Sequence, residues 1–175
     1  LMTASLARLL RQSISIENEL VTIGQEVEYV RSYLTIQKMR YKDKLEFEIN
    51  VDPRITHAQI IRLVLQPIVE NAIYHGLKYK ESKGMLKVHG YELGERIIID
   101  ITDDGVGMDE ETLKHIYDKH KVNYHSNGVG VYNVQQRLVL YYGKEYGIIY
   151  HSEKGKGTTA TVVIPKKQED VHEKI

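Results

Sequence analysis

The sequence has no cysteine among its 175 residues, which excludes disulfide frameworks, thiolate zinc sites and a cysteine nucleophile together. It has no excess of charge either. Lys plus Arg and Asp plus Glu each total 24, and no long run of one sign marks a polyanion-binding or membrane-binding surface, so no nucleic-acid partner is expected. No apolar run approaches the roughly 20 residues that span a bilayer, and there is no internal repeat or low-complexity linker. What remains reads as one soluble domain with a real core, burying roughly 70% of its unfolded surface. Leu1 opens inside an amphipathic pattern rather than at Met. The chain is therefore expected to be part of something longer, with room for a membrane-spanning part upstream.

Met2, Leu6, Leu9, Leu10 and Ile14 recur at helical spacing, and Ser, Thr and Gly24 then break the pattern. This reads as the end of an upstream helical region over 1–19. A longer helix is expected over 25–41, its basic end at Lys38–Lys42 suiting the helix dipole. Leu45, Phe47, Ile49 and Val51 alternate with Glu46, Glu48 and Asn50, the period of a half-buried strand. After Pro53 a helix is expected from about Ala58 to Leu77, with Gly76 fraying its end. Two strands joined at Leu93–Glu95, a short helix capped by Asp109, a helix over 130–142 and a closing strand pair around "EKGKG" complete the domain, 20–165, before a polar tail over 166–175. Strands from Met85 onward, interrupted by one helical pair, predict an α+β fold: a mixed or antiparallel sheet with helices on one face.

Three segments carry polar chemistry. "LVLQPIVENAIYHGLKY" sets Glu70, Asn71 and His75 among apolar residues. "DDGVGM", from Asp103 to Met108, follows a strand, and "NGVGVYN", from Asn127 to Asn133, precedes a helix. Read alone, each glycine cluster is a plain turn. The alternative is that glycines before a helix let the backbone approach an anion with free N–H groups, which makes Gly128, Val129, Gly130 and Val131 candidates for a phosphate site. Asp103 would accept a hydrogen bond from an amino group such as that of adenine, while Gly105 and Gly107 leave room for a flat ring beside Met108.

Together these segments resemble the N box and the two glycine boxes of the ATP-binding superfamily that includes DNA gyrase B, MutL, a heat-shock chaperone and the sensor histidine kinases. "GKGTTATVVIP", with Thr158, resembles the closing hairpin of that fold. Within the superfamily "LVTIGQEVEYVRSYLTIQKMRY", "LQPIVENAIYHG" and "GVGVYNVQQRL" are most similar to the LytS-like histidine kinases. The resemblance runs from about Leu20 to Pro165. It implies a two-layer α/β sandwich of the Bergerat type that binds ATP. It further implies that Asn71 offers its amide oxygen to Mg²⁺, that Glu70 acts as general base or orients the attacking group, and that Asp103 reads adenine. Ile61, Leu65, Ile68 and Ala72 would pack while Asn71 and His75, one turn apart, face the phosphates. Many related kinases carry a basic residue three positions after the N-box Asn, and this chain has Tyr74 there. Either Lys78 compensates or phosphate affinity is lower, and Lys119, His120 and Lys121 in the lid would contact the phosphates when it closes. Without the resemblance Glu70 reads rather as a surface carboxylate, while His75 is equally a partially buried, satisfied histidine and Lys78 equally a solvated helix end.

The resemblance implies a kinase that transfers phosphoryl from Mg–ATP to a histidine and thence to a response regulator, within a homodimer whose catalytic part is the cytoplasmic domain of a membrane-anchored bacterial sensor. In these relatives the acceptor lies in a Pro-His-Phe motif upstream, and none of the eight histidines here has that context. The acceptor is expected on upstream dimerising helices. An ATP-gated interaction module, or a slow ATPase of the same superfamily, is the alternative.

Overall fold

The computed structural model describes residues 20–116 and 128–167. The expected helical end over 1–19, Lys119, His120 and Lys121, and the tail beyond Lys167 lie outside the described residues.

Strand β1 (Leu20–Thr22) leads directly into α1 (Ile23–Tyr41). Thr22 closes a capping box at its start: Gln25 N donates to Thr22 Oγ1 at 3.2 Å and Thr22 N donates to Gln25 Oε1 at 2.8 Å. Glu26 in the first turn and Lys38 and Arg40 in the last complement the helix dipole. Beyond it come β2 (Leu45–Val51), β3 (Gln59–Ile61), α2 (Leu65–Asn71), β4 (Gly84–Leu93), β5 (Arg96–Asp103), α3 (Glu110–Lys114), α4 (Gly128–Tyr142), β6 (Gly147–Glu153) and β7 (Gly157–Pro165).

Five strands form one sheet in the order β2-β4-β5-β7-β6, parallel between β2 and β4 and antiparallel elsewhere. Alternation along the strands puts Leu86, Val88, Ile97, Ile99, Ile101, Val162 and Ile164 on the buried face, where they join one core cluster with Val30 and Leu34 of α1, Ile68 of α2 and Val134 and Leu138 of α4. The opposite face carries Lys87, Asp100, Thr102 and Thr161, hydrogen-bonded in part to one another, as in the 2.6 Å bond from Thr161 Oγ1 to Asp100 Oδ1. This is the expected α+β sandwich with helices on one face.

The segment from Ala58 to Leu77 departs from expectation. Its first residues are a strand, not helix, because β3 pairs antiparallel with β1, Leu20 opposite Ile61. Ile61 is buried there rather than on the helix. Leu63 then takes φ 60°, a left-handed conformation that stops the strand and turns the chain into α2. After Asn71 the helix widens into a π-helical turn, Ala72–Leu77, in which Lys78 N donates to Ile73 O at 2.8 Å. Gly76 does not fray the end; it is buried inside this turn. The fold also reaches one residue into the expected tail, since Lys166 N donates to Glu95 O and Lys166 Nζ to Glu92, both at 2.9 Å.

Candidate functional site

The last residue of β5 is Asp103, directly opposite Thr158 of β7. Position along the strand decides its environment: like Ile99 and Ile101 it points to the core face, and it is only 4% exposed. Burial pushes its carboxyl up to about 6, with Asp104 adding to the rise, while the N–H groups of Gly105 and Thr158 and the charge of Lys80 pull it down. Asp104 points the other way. Its Oδ1 accepts from Met85 N at 2.8 Å and its Oδ2 pairs with Lys80 at 2.7 Å.

The loop after Asp103 is fixed by backbone packing. Val106 N donates to Gly76 O at 3.2 Å, and Gly155 N, from the β6–β7 turn, donates to Val106 O at 2.7 Å. Met108 N donates to Ser152 Oγ at 2.8 Å, and that hydroxyl is 3.0 Å from Gly157 O. Gly107 has φ 64°, and a Cβ there would sit 2.1 Å from Glu153 O. Gly105 differs from expectation: the room it leaves is filled by the backbone of Gly76, 2.3 Å from where its Cβ would be, not by a ring. The first glycine box is thus the seam where the N-box helix, the loop and the closing hairpin touch backbone to backbone.

These elements enclose a cleft of about 150 Å³, and a cavity of about that size holds one small aromatic ring. Asn71, His75, Asp103, Gly107, Met108 and Thr158 line it, as expected from sequence. Ile101 and Ala160 form an apolar floor, with Ile68 and Ala72 on the helix side. Period-two reading from Asp103 and Thr158 finds Ile101 and Ala160, which face each other in register. Tyr150 and Ile116, which also line the cleft, were missed, and no local pattern distinguishes them from core residues.

Asn71 Oδ1 is buried and has no hydrogen-bond partner among the described residues. A buried unpaired amide oxygen costs on the order of 1–3 kcal/mol unless something meets it. As a neutral hard donor it suits one position on a Mg²⁺ ion that takes its remaining ligands from phosphate oxygens and water. Among the described residues no group of three or more His, Asp or Glu gathers as a metal site. His75 lies on the same wall with its side chain exposed, and partial burial and the charge of Lys78 shift its imidazole below the usual value.

The other expected residues stand elsewhere. Glu70 accepts a 2.7 Å bond from Gln66 Nε2 on the flank of α2 towards α1, where its charge helps raise the Tyr33 phenol. Lys78 lines a separate cavity with Tyr41, Ile73 and Leu77. Val131 is core. Gly128, Val129 and Gly130 form the first residues of α4, and Gly130 passes 3.5 Å from Pro67 Cβ, measured from its would-be Cβ. The cleft therefore gathers Asn71, Asp103 and His75, while Glu70, Lys78 and the start of α4 stand outside its lining.

The chain matches the family of histidine kinase-, DNA gyrase B- and HSP90-like ATPases over residues 56–168, and a histidine kinase family over residues 1–45. It is 34% identical over 170 residues to the sensor histidine kinase YesM of Bacillus subtilis, covering 97% of this chain and 28% of that protein. It is 30% identical over 148 residues to the sensor protein LytS of Bacillus cereus, covering 85% and 25%. The chain thus spans about a quarter of the length of these relatives. Among solved structures it superposes on the catalytic domain of the histidine kinase ThkA with a TM-score of 0.63 at 13% identity, covering 86% of this chain and 100% of that one. For the histidine kinase domain of the Erythrobacter litoralis blue-light activated kinase the TM-score is 0.60 at 16% identity, covering 94% and 72%.

Proposed function

Because the chain belongs to the family of histidine kinase-, DNA gyrase B- and HSP90-like ATPases, we propose that its cleft holds Mg–ATP as the catalytic domain, residues 20–165, of a LytS-like sensor histidine kinase. The observation that carries the reading is the pairing, in one cleft, of a buried carboxylate at Asp103 with an unpartnered amide oxygen at Asn71. One suits the donor edge of adenine and the other a hard cation.

Adenine enters over Ile101 and Ala160, gives its amino hydrogen to Asp103, and is walled by Met108 and Gly107. Asn71 would hold Mg²⁺ through its amide oxygen, and that ion would supply charge neutralisation for transfer of the γ-phosphoryl group. His75 donates a ring N–H to a phosphate oxygen of the ligand. The first N–H groups of α4 at Gly128, Val129, Gly130 and Val131 would meet the phosphates, and Lys78, Lys119, His120 and Lys121 are the cations proposed to add charge there. Glu70, steadied by Gln66, takes the proton of the incoming imidazole or orients it. The acceptor is a histidine on dimerising helices outside this sequence, and the phosphoryl group passes on to a response regulator. A membrane-anchored homodimeric parent fits the reading.

Phosphoryl transfer needs the nucleophile about 3–3.5 Å from the reacting atom and in line. Incubated with γ-labelled ATP, this chain is expected to bind nucleotide yet form no acid-labile phosphate. Joined to helices carrying the acceptor it labels, and Glu70→Ala in the joined form labels roughly 100-fold more slowly at unchanged ATP affinity. Histidine labelling of the chain alone, or full-rate labelling by Glu70→Ala, would overturn the assignment.

A further inference from the structure

Helix α2, which carries Asn71, has no cap of its own. The residue at its N-cap is Val64, which offers no side-chain hydrogen bond, and Arg62 and Leu63 before it are not capping residues. A helix whose first N–H groups are buried without partners loses stability at each of them. Here the partner comes from far away in the chain. Glu26 of α1 is 5% exposed, and its carboxylate accepts from Leu63 N at 2.7 Å and from Val64 N and Leu65 N at 3.0 Å each.

A third element closes the same corner. Arg137 of α4 donates through Nη2 to Arg62 O at 2.8 Å, and its positive charge favours the ionised form of Glu26. Tyr142, on the last turn of α4, donates no bond to the carboxylate but accepts one at its hydroxyl from Ile61 N at 3.1 Å. Burial pushes the Glu26 carboxyl up, against the pull of three N–H groups and Arg137. Four favourable partners thus oppose its burial without cancelling it, and a residue with no acceptor in its place leaves three N–H groups without their partner.

The corner sets the direction of the whole helix. Leu63 is held at φ 60° between the N–H it gives to Glu26 and the carbonyl that Arg62 gives to Arg137. From Leu65 to Asn71 the chain is continuous α-helix, so a change of tilt at the capped end moves the Asn71 amide, roughly 9 Å along the axis. The β1–β3 pairing, with Leu20 opposite Ile61, ties the same corner to the point where the chain enters the domain. We propose that Glu26 is a positioning residue for the nucleotide site: it caps the N-box helix in place of the absent local cap and thereby sets where Asn71 presents its oxygen. The inference rests on the Mg–ATP reading for its consequence, but not for the geometry it predicts.

The test uses the whole chain and two measurements. Amide exchange and side-chain resonances followed by NMR without nucleotide read the helix itself. In Glu26→Gln the amide presents an NH₂ group to one of the three donors, and exchange at Leu65, Ile68 and Val69 is expected to accelerate roughly tenfold or more. The Asn71 side-chain amide resonance shifts, while the β4 and β5 amides keep parental rates. Titration with and without Mg²⁺ reads the site: the gain in ATP affinity that Mg²⁺ confers drops roughly 10- to 100-fold, as for other groups that orient a ligand of a metal. Glu26→Asp retains the charge and recovers the larger part of both effects. Parental exchange and an unmoved Asn71 resonance in Glu26→Gln would overturn the inference. So would an equal loss of protection across helix and sheet in both variants, which would make Glu26 a residue of general stability. If the parent chain gains no ATP affinity from Mg²⁺, the nucleotide reading fails, and the NMR comparison still decides whether Glu26 positions Asn71.

Discussion

Asp103 and Asp104 are adjacent in sequence, and their two side chains meet opposite conditions. Asp104 is tied to Met85 N and Lys80 at the surface, whereas Asp103 is buried with its carboxyl pushed up to about 6 from an ordinary 3.8. The sign of the consequence follows from proton counting. Below 3.8 both folded and unfolded chains hold the Asp103 proton, and between about 4 and 6 the folded chain holds a proton that the unfolded chain has released. Asp103 therefore favours the fold most at acid pH, and its contribution falls by about 3 kcal/mol as pH rises through that window. If Asp103 reads adenine as proposed, recognition would run the other way, because only the ionised carboxylate offers both oxygens as acceptors to the amino group. Urea unfolding of Asp103→Asn beside the parent is expected to show the parent losing stability relative to the variant between pH 4 and 6.5. ATP should bind the parent more tightly at pH 7 than at pH 5.5, with GTP much weaker, and Asp103→Asn should lose both the pH dependence and most of the preference for ATP. Equal affinity of the parent for GTP and ATP would remove Asp103 from the base site.

Between elements, the first glycine box is a joint, and its strictest position is Gly107. With φ 64° and a virtual Cβ 2.1 Å from Glu153 O, Gly107→Ala has to push the β6–β7 turn away from the loop. A loss of at least about 2 kcal/mol in urea unfolding is expected, together with weaker ATP binding, because Met108 is anchored to the same turn through Ser152. Gly94→Ala serves as the comparison, since its φ of 60° carries the backbone cost with nothing within 4 Å. Equal losses in the two variants would show that backbone strain alone, and not the joint, sets the effect. The elements themselves were unevenly legible. Period-two alternation exposed β2, whose apolar and polar residues alternate, whereas β4, β5, β6 and β7 were legible as apolar runs bounded by the turns at Leu93–Glu95 and "EKGKG". Ala58 to Leu77 was not legible as strand, turn and helix, since Ile60, Ile61, Val64, Leu65, Ile68 and Val69 also satisfy helical spacing. The break at Leu63 carries neither glycine nor proline. The cap that starts the helix lies on α1, and the slip to π-helical bonding at Ala72 leaves no mark in residue type. Asn71, His75, Asp103, Gly107, Met108 and Thr158 were legible through motifs, whereas Tyr150 and Ile116 reach the cleft only by tertiary packing.

For the molecule as a whole, the sheet is two local hairpins joined by one distant seam, with β2 added parallel to β4 at one edge. Strands β4 and β5 pair across the turn at Gly94, and β6 and β7 pair across the turn before Gly157. Strands β5 and β7 must find each other over a long stretch of chain, matching Arg96 with Pro165 and Asp103 with Thr158. Closing that interval costs entropy before any contact repays it, so local hairpins are expected to form early and the seam late. The seam is also what brings Asp103 beside Thr158, so no intermediate with the hairpins apart contains the wall proposed to read the base. Nucleotide consequently rewards only the finished molecule. In stopped-flow unfolding, ATP at about 100 times its dissociation constant is expected to slow the unfolding limb by roughly 100-fold while leaving the refolding limb unchanged. A nucleotide-accelerated refolding limb would place the seam early instead. Late assembly of the seam makes ATP a brake on leaving the native state and no guide towards it: a chain just made has to complete its sheet unaided, and becomes long-lived only once it is already able to work.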